Sequence, residues 1–256
     1  MTTATTNKLT VNYGTGVTSC LSVRFSEACE YRRKHGVWPD EIDSSQQFTW
    51  YHNDGDGDLS PIFLGEYRKP DDMIESSFHH MWQFNWYDEI DVHSNSNLAV
   101  HGICIPSYGL KVRAHSLHPF VIGRTYVLYR GNDKAKEIDP TPYEAMEEMA
   151  RQSGSTKFFL QTDDEDFYQF FTARFPDTTS LATLPRIKSN HDRYVMPVHK
   201  KKDFAFEFNA ALMAAVYANG LITTTGNTGL WAVLYRGRLH NTLQYHGKYQ
   251  TWRRLG

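Results

Sequence analysis

The second half of the chain alternates short apolar runs with longer segments whose apolar residues recur at helical spacing. Three runs, at 126–128, 157–160 and 221–225, are followed by turn residues, which is typical of strands buried on both faces of a sheet. Helices are predicted at 141–152, 165–174, 204–219 and 230–235, and a further short strand is predicted near 181–184. This alternation predicts an α/β fold with a parallel sheet in the C-terminal half, covered by helices on both faces.

A strand, a glycine turn and a helix also begin the chain. Residues 9–13 predict a strand, Gly14-Thr15-Gly16 a turn, and 18–34 a helix that Gly36 ends, before a second short strand near 41–45. A glycine turn before a helix directs free backbone N–H groups at an anion and lets a ligand approach the backbone closely. The pattern therefore predicts either ligand contact at Gly14 and Gly16 or a tight turn alone.

The stretch 126–133 combines an apolar strand with an abrupt polar end at Arg130 and Asp133. Ligands of open α/β sheets bind just past the carboxyl ends of such strands. A guanidinium there can hold a phosphate with two hydrogen bonds. The alternative is that Arg130 only pairs with a neighbouring aspartate.

Composition narrows the classes of partner. The formal net charge of −2 gives no overall field that attracts nucleic acid or a membrane surface, so a local cluster must hold any anionic ligand. Three cysteines are too few for a disulfide framework and match no metal motif, which indicates a reducing compartment. The N-terminus lacks the apolar core of a signal peptide, and no stretch reaches the ~20 apolar residues that span a bilayer. We therefore expect a cytoplasmic protein without a membrane span.

An aspartate-rich loop at 52–58 has a candidate metal-binding composition. Alternating aspartates can ligate a hard cation, but a calcium loop needs a bidentate Glu at its twelfth position, where this chain has Gly65. A solvated turn is the alternative.

Three segments together resemble one family of enzymes. Tyr-Arg-Gly-Asn-Asp-Lys (129–134) is similar to the His-x-Arg-Arg-x-Asp-Lys segment of fucosyltransferase-like enzymes, which include the α1,6-, α1,2- and protein O-fucosyltransferases and the rhizobial nodulation fucosyltransferases. Residues 158–167 resemble the Leu-Ala-Thr-Asp-Asp strand and helix of that family, and Thr-Thr-Thr-Gly-Asn-Thr-Gly (223–229) its Gly-Thr-Phe-Ser-Ser loop. The order and spacing of the segments also agree.

The resemblance implies a GT-B-like architecture of two Rossmann-type halves around a cleft. Residues 1–118 would form the acceptor-side half and residues 119–256 the half that binds the nucleotide-sugar. It further implies inverting transfer of a sugar from a nucleotide diphosphate to a hydroxyl of a glycan or glycoconjugate, with no cofactor and no metal. Arg130 would stabilise the charge on the leaving diphosphate, and Glu137 is the candidate base. The implied donor-binding residues are Gly14, Gly16, Asp133, Asp163, Asp164, Thr225, Gly226, Asn227 and Thr228.

Two roles stay open for Asp163 and Asp164, which follow a strand beside the predicted cleft. They can bind the base or ribose of the donor, or cap the next helix. For Glu137, the alternative to a catalytic base is an exposed loop residue without a role in the reaction.

The chain departs from the family pattern at three places. Leu128 replaces the family's His, Gly131 replaces the second Arg, and Asn227-Thr228 replaces the Ser-Ser pair. The sugar is therefore fucose or another such as xylose or rhamnose, on a guanosine or uridine carrier. Two other functions remain: a metal-dependent GT-A glycosyltransferase, with Asp164-Glu165-Asp166 or Asp54-Gly55-Asp56 at the metal, and a non-catalytic module that binds a nucleotide-sugar or glycan.

Overall fold

A small β-α-β unit begins the fold. In the computed structural model, which describes residues 7–53, 55–70, 92–131, 140–186 and 200–256, strands β1 (Lys8–Thr10) and β2 (Glu41–Asp43) pair in parallel across helix α1 (Val17–His35). Helix α1 ends at Gly36, whose φ of 74° is the left-handed conformation that glycine adopts without strain. Among the described residues, four shorter α-helices then lead to the main sheet: α2 (Ser60–Phe63), α3 (Val92–Leu98), α4 (Tyr108–Ser116) and α5 (His118–Val121).

The main sheet has six strands in the order β5-β4-β3-β6-β7-β8. The first five pair in parallel, and β8 runs antiparallel to β7 at one edge. The central strands are buried along their whole length, as expected for parallel strands covered on both faces. The strands are β3 (Thr125–Tyr129), β4 (Phe158–Thr162), β5 (Thr178–Thr179), β6 (Gly220–Thr224), β7 (Thr242–His246) and β8 (Thr251–Leu255).

Helices cover the two faces of this sheet and define two hydrophobic cores. Side chains of α6 (Tyr143–Gln152) and α7 (Glu165–Arg174) pack with Val127 and Ile222 on one face. On the other face, α8 (Lys201–Met213) and α9 (Asn227–Arg236) pack with Tyr126 and Leu221. The predicted α/β class and the parallel sheet of the C-terminal half are therefore confirmed.

The chain changes direction across the sheet between β3 and β6. From β3 it proceeds outward through β4 to β5, whereas from β6 it proceeds the opposite way to β7 and β8. A crevice opens at such a switch point, outside the carboxyl ends of the two central strands, and ligands of doubly wound folds bind there. Arg130 directly follows β3, and Thr225 directly follows β6.

The core on the α8–α9 face also includes the N-terminal unit. Leu21 and Phe25 of α1 belong to the same buried cluster as Trp231 of α9, and Trp231 Nε1 donates a hydrogen bond to Ser22 Oγ over 2.8 Å. The division into residues 1–118 and 119–256 stays a prediction, and the predicted boundary lies at the start of α5.

The strand predicted near 181–184 is wrong. That segment is a turn. The outer strand is β5, which is two residues long, ends just before this segment and pairs with Phe158 and Phe159 of β4. The sequence analysis also missed β7 and β8. Within the described ranges, no helix is both long enough and apolar enough to cross a bilayer.

Candidate functional site

The end of β3 is fixed by a carboxylate from the neighbouring strand. Asp163 accepts the Arg130 Nε–H at Oδ2 over 3.1 Å and the Gly131 backbone N–H at Oδ1 over 3.0 Å. Arg130 and Asp163 each keep about a fifth to a quarter of the side chain exposed, so the pair is partly desolvated at the crevice. The Arg130 guanidinium also lies 5.4 Å from the centre of the Phe208 ring, a cation–π distance. These contacts hold a planar cation at the carboxyl edge of the sheet.

Asp164 caps the helix that follows. Its Oδ1 accepts the Phe167 backbone N–H over 3.0 Å at the start of α7, and its Oδ2 accepts the Tyr143 hydroxyl over 2.8 Å. Asp164 is almost completely buried, so the capping role left open by the sequence is present in the structure. A Cβ at residue 131 would lie 2.5 Å from Asp164 Oδ2, which explains why Gly131 occupies this position of the family pattern.

The start of α9 presents backbone N–H groups at the other side of the crevice. Gly226 precedes the helix with a φ of 127°, a conformation that side chains disfavour, and no side chain among the described residues caps the helix. The first N–H groups of an α-helix have no intrahelical acceptor and carry the positive end of the helix dipole. The neighbouring Thr225 is 5% exposed, and its Oγ1 has no hydrogen-bond partner within the described ranges.

Gly229 places this helix directly on the strand before it. A Cβ at Gly229 would collide with the backbone carbonyl oxygen of Thr224, so only glycine allows the first turn of α9 to approach the end of β6 this closely. The uncapped N–H groups are therefore fixed relative to the sheet edge and to Arg130.

The N-terminal glycine turn meets this helix start. Asn227 Nδ2 donates to Ser19 Oγ over 3.0 Å, and the hydroxyls of Thr18 and Thr228 lie 3.4 Å apart. The amino ends of α1 and α9 thus adjoin, and the two predicted ligand-binding turns lie at one place.

Glycine is required at positions 14 and 16 of that turn for different structural reasons. Gly16 precedes α1 with a φ of 64°, in the left-handed region. At Gly14 a Cβ would overlap the Thr49 hydroxyl, so the close approach that requires glycine there is made by Thr49. The tight-turn alternative therefore accounts for Gly14, and ligand contact at Gly14 and Gly16 stays a prediction.

A small cavity joins the parts of the site. It measures about 10 Å³, room for one water-sized group, and its lining belongs to the ends of β3 and β6 and the start of α9. The lining residues are Leu128, Arg130, Thr224, Thr225, Gly226, Thr228 and Gly229. A larger open groove of about 330 Å³ lies at the opposite edge of the sheet, beside Thr125, Lys157 and Gly220. Because it borders the amino ends of the strands, this groove is far from Arg130, and the smaller cavity is the candidate functional site.

Comparisons with known proteins agree with this architecture. No family model and no curated protein sequence matches the chain. Among solved structures, the fucosyltransferase NodZ from Bradyrhizobium superposes with a TM-score of 0.55 at 12% identity over 93% of both chains. NodZ α-1,6-fucosyltransferase co-crystallised with GDP gives 0.52 at 11% identity over 93% of both chains. The same enzyme soaked with GDP-fucose gives 0.52 at 11% identity over 89% of this chain and 91% of that one.

The chain has a fucosyltransferase-like fold. The resemblance stated from the sequence is confirmed at the level of fold, including the GT-B-like arrangement. Within this fucosyltransferase-like fold, the described residues of the N-terminal half form one parallel strand pair, so its sheet is much smaller than that of the C-terminal half.

The fucosyltransferase-like fold brings most of the predicted site residues together. Arg130 and Asp163 meet at one side of the crevice, and the 225–228 turn meets the 14–16 turn at the other. Asp133 and Glu137 lie outside the described residues, as does Asp54. Leu128 stands where the family pattern has a His. Its side chain is buried in the core and presents an apolar surface to the cavity.

The carboxylates named for a metal are engaged with other groups where the structure describes them. Asp56 forms an ion pair with Lys202 over 3.0 Å, and Glu165 pairs with Arg186 over 3.0 Å. In the part of the chain that is described, no three His, Cys, Asp or Glu side chains gather as a metal-binding group. The metal-free donor site stays a prediction.

Sequence reasoning missed three side chains at this site. Phe208 flanks Arg130, Ser19 binds Asn227, and Thr18 adjoins Thr228. The apolar position of Phe208 on its helix was visible in the sequence, but its contact with Arg130 depends on how α8 crosses the sheet.

Proposed function

We propose that this protein is an inverting glycosyltransferase that transfers a sugar from a nucleotide diphosphate to a hydroxyl of a glycan or glycoconjugate. The observation that carries the proposal is the pairing, at one crevice, of the Arg130 guanidinium with the uncapped start of α9. Both groups favour an anion, and they lie at the switch point where doubly wound folds bind nucleotides.

The donor diphosphate binds between these groups. One phosphate oxygen matches the water-sized cavity, where the buried Thr225 hydroxyl lacks a partner among the described residues. Backbone N–H groups of Asn227 and Thr228 then donate to the phosphate from the helix start, as amides at helix N-termini do for anions. Asp133 and Asp163 are proposed for the ribose or base, with Asp163 also holding Arg130 in place.

The chemical step forms one bond and breaks another at the anomeric carbon. The acceptor oxygen attacks that carbon from the side opposite the diphosphate, the bond from the carbon to the phosphate oxygen breaks, and the configuration inverts. Arg130 and the α9 N–H groups stabilise the negative charge that grows on the leaving diphosphate, an effect worth on the order of 10²–10³ in rate per donor group. The hydroxyl proton passes to a carboxylate, which we assign to Glu137.

Guanosine is the proposed carrier and fucose the proposed sugar. Two of the solved structures with this fold are described as complexes with GDP and GDP-fucose, which supports the same donor here. In this proposal the Arg130 guanidinium and the backbone N–H groups of α9 neutralise the charge of the diphosphate, so no divalent ion is required.

A non-catalytic module that binds the same donor is the second candidate. Two departures from the family pattern favour it: the apolar, buried Leu128 in place of His, and Gly131 in place of the second Arg. Release of GDP from GDP-fucose, followed with and without glycan acceptors, separates the two candidates because a module binds without turnover.

Thermal unfolding in the presence of GDP, GDP-fucose, UDP and UDP-glucose, each with EDTA, tests the proposed site. A ligand at 100 times its Kd adds ~2.7 kcal/mol to the stability, which is a readily measured shift in Tm. We expect GDP and GDP-fucose to raise the Tm of the wild type, and Arg130→Ala to abolish most of that rise.

Arg124→Ala is the matched control. Arg124 also pairs with an aspartate, Asp177, over 2.6 Å, but precedes β3 at the opposite edge of the sheet. The Arg124→Ala variant should have a lower Tm than the wild type without ligand, and GDP should raise its Tm by as much as it raises that of the wild type. A full GDP effect in Arg130→Ala, or an effect that requires Mn²⁺, contradicts the proposed site.

A further inference from the structure

An exposed tryptophan stands beside the donor crevice. Trp50 keeps 47% of its surface exposed, and its backbone N–H donates to the Gly14 carbonyl over 3.0 Å. The Lys201 ammonium lies 4.4 Å from the centre of its ring, and Tyr51 meets the ring edge-on at 5.0 Å. A large aromatic side chain that is held in place on two sides and still exposed provides a platform on which an apolar ligand face can stack.

Contacts connect this platform to both phosphate-binding groups. On one side, Trp50 joins the glycine turn, from which α1 leads to Ser19 and to Asn227 at the start of α9. On the other side, Lys201 begins α8, and Phe208 of the same helix lies under Arg130. Trp50 and Arg130 therefore both contact α8, and the glycine turn beside Trp50 leads to the start of α9; we call the region between these elements the opening.

Helix α8 gives the distance across that opening. Lys201 and Phe208 are seven positions apart on α8, which at the helical rise of 1.5 Å per residue separates them by about 10 Å. A donor phosphate held at Arg130 leaves this length of the opening for the donor sugar and an acceptor ring. Trp50 contacts α8 at Lys201, about this length from the contact of Arg130 with Phe208.

The loop after Trp50 holds polar atoms that need partners. His52 Nε2 and Asn53 Oδ1 are both buried and have no hydrogen-bond partner among the described residues. A buried polar atom without a partner lowers the stability of the fold. Lys202 pairs with Asp56 over 3.0 Å and ties this loop to α8. A polar loop and the Lys201 ammonium therefore lie next to the aromatic ring, and polar groups beside a ring are the combination that a sugar with hydroxyl edges and apolar faces requires.

We propose that Trp50 forms the acceptor subsite and stacks on a neutral hexopyranose ring, with a hydroxyl of the sugar hydrogen-bonded to Lys201. This inference rests on the proposed glycosyltransferase function and assigns the acceptor to the N-terminal half. A ring with equatorial hydroxyls fits best, because its C–H groups then form an uninterrupted apolar face.

Isothermal titration of cellobiose into the protein saturated with GDP tests the subsite, since both cellobiose rings expose such faces. We expect Trp50→Ala to weaken cellobiose binding on the order of tenfold, and Trp50→Phe to retain most of the affinity. Phe120→Ala is the matched control, because Phe120 is 50% exposed on α5, before β3. In all three variants the Tm shift caused by GDP should stay at the wild-type value.

Two results overturn the acceptor subsite: wild-type affinity for cellobiose in Trp50→Ala, or no cellobiose binding by the wild type with GDP bound. The proposed donor function fails in a different way. If GDP and GDP-fucose leave the Tm of the wild type unchanged while Trp50→Ala still weakens cellobiose binding, the sugar platform stands and the donor site does not.

Discussion

Asn227 donates a side-chain hydrogen bond to Ser19 across 208 positions of the chain, at a distance of 3.0 Å. This bond joins the first turns of two helices, α9 from the large sheet and α1 from the N-terminal unit. The positive ends of both helix dipoles therefore lie side by side. Like partial charges repel, so an anion between or above these helix starts lowers the energy of the arrangement.

A double-mutant cycle on this pair measures the connection. Because one intramolecular hydrogen bond contributes about 0.5–1.5 kcal/mol net, we expect Ser19→Ala and Asn227→Ala each to lower the free energy of unfolding by about that amount. The double variant should be no less stable than either single one. Ser155→Ala, in the loop before β4, serves as control and should add to Asn227→Ala independently. Urea unfolding supplies the values, and additive effects of Ser19 and Asn227 would exclude the contact.

Asp163 is expected to act by positioning Arg130. Asp163→Asn keeps an oxygen for one of its two hydrogen bonds but loses the charge that holds the guanidinium, so we expect kcat to fall about tenfold or more with a smaller change in KM for the donor. Asp177→Asn, which removes the carboxylate of the Arg124 pair, is the control and should leave both constants unchanged. Steady-state kinetics with GDP-fucose provide the measurement. An unchanged kcat in Asp163→Asn would refute the positioning role.

Thr225→Val should change the stability of the free protein and its binding of the donor in opposite directions. The Thr225 hydroxyl is buried and unpartnered in the described part of the chain, so its replacement by a methyl group of similar size should raise the stability of the free protein by about 1 kcal/mol. The same change removes the proposed hydrogen-bond donor to the phosphate, so we expect a smaller rise in Tm with GDP. The two effects have opposite signs, and thermal unfolding with and without GDP detects both. A destabilised free protein would show that the hydroxyl has a partner.

Gly229→Ala should separate α9 from the sheet edge. The added methyl group meets the Thr224 carbonyl oxygen, which belongs to the backbone and has little room to move. We expect a loss of about 1–3 kcal/mol in stability together with weaker GDP binding. Gly57→Ala is the control, because no atom lies within 4 Å of a Cβ there. Equal stability of the two variants in urea unfolding would contradict the close approach.

Asp43 gives the protein a defined acid sensitivity. Its carboxylate accepts the Ser45 backbone N–H and also pairs with Lys8, which lowers its pKa from the usual 3.8 to about 2. A lowered pKa in the folded state stabilises the protein fully above pH ~4, and this contribution disappears as the pH falls towards 2. We therefore expect Asp43→Asn to be less stable than the wild type at pH 6, with a difference that shrinks below pH ~4 and is small at pH 2, measured by urea unfolding. Lys8→Met should reproduce only part of the difference, since the Ser45 hydrogen bond remains.

Local pattern predicted most of the fold. The helix at Glu165–Arg174 agrees with its predicted bounds because Asp164 caps it and Phe175-Pro176 ends it, signals that depend only on neighbouring residues. Strands β7 and β8 escaped prediction for a different reason. Gln244 and His246 are polar yet buried in β7, so the sequence lacks the apolar run that marks a central strand.

The site was predictable only as far as chain topology determines it. Residues that follow parallel strands gather at one edge of the sheet, which places Arg130 and Thr225 together without further information. The Asp163 contact, the approach of Ser19 to Asn227 and the exposed ring of Trp50 depend on how separate segments pack, and no local signal encodes them. The capping alternative for Asp164 could be stated in advance but not decided.

The core that α1 shares with the α8–α9 face of the sheet limits how far the N-terminal unit can move. Leu21 and Phe25 from the N-terminal unit share that core with Trp231 and Tyr126, so rotating one half away from the other would expose large apolar side chains to water. At about 25 cal/mol per Å² of apolar surface, such an opening would cost several kcal/mol for even a few of these residues. Under the proposed function, we therefore expect nucleotide entry and product release to proceed through local rearrangement at the crevice, with this shared core left intact.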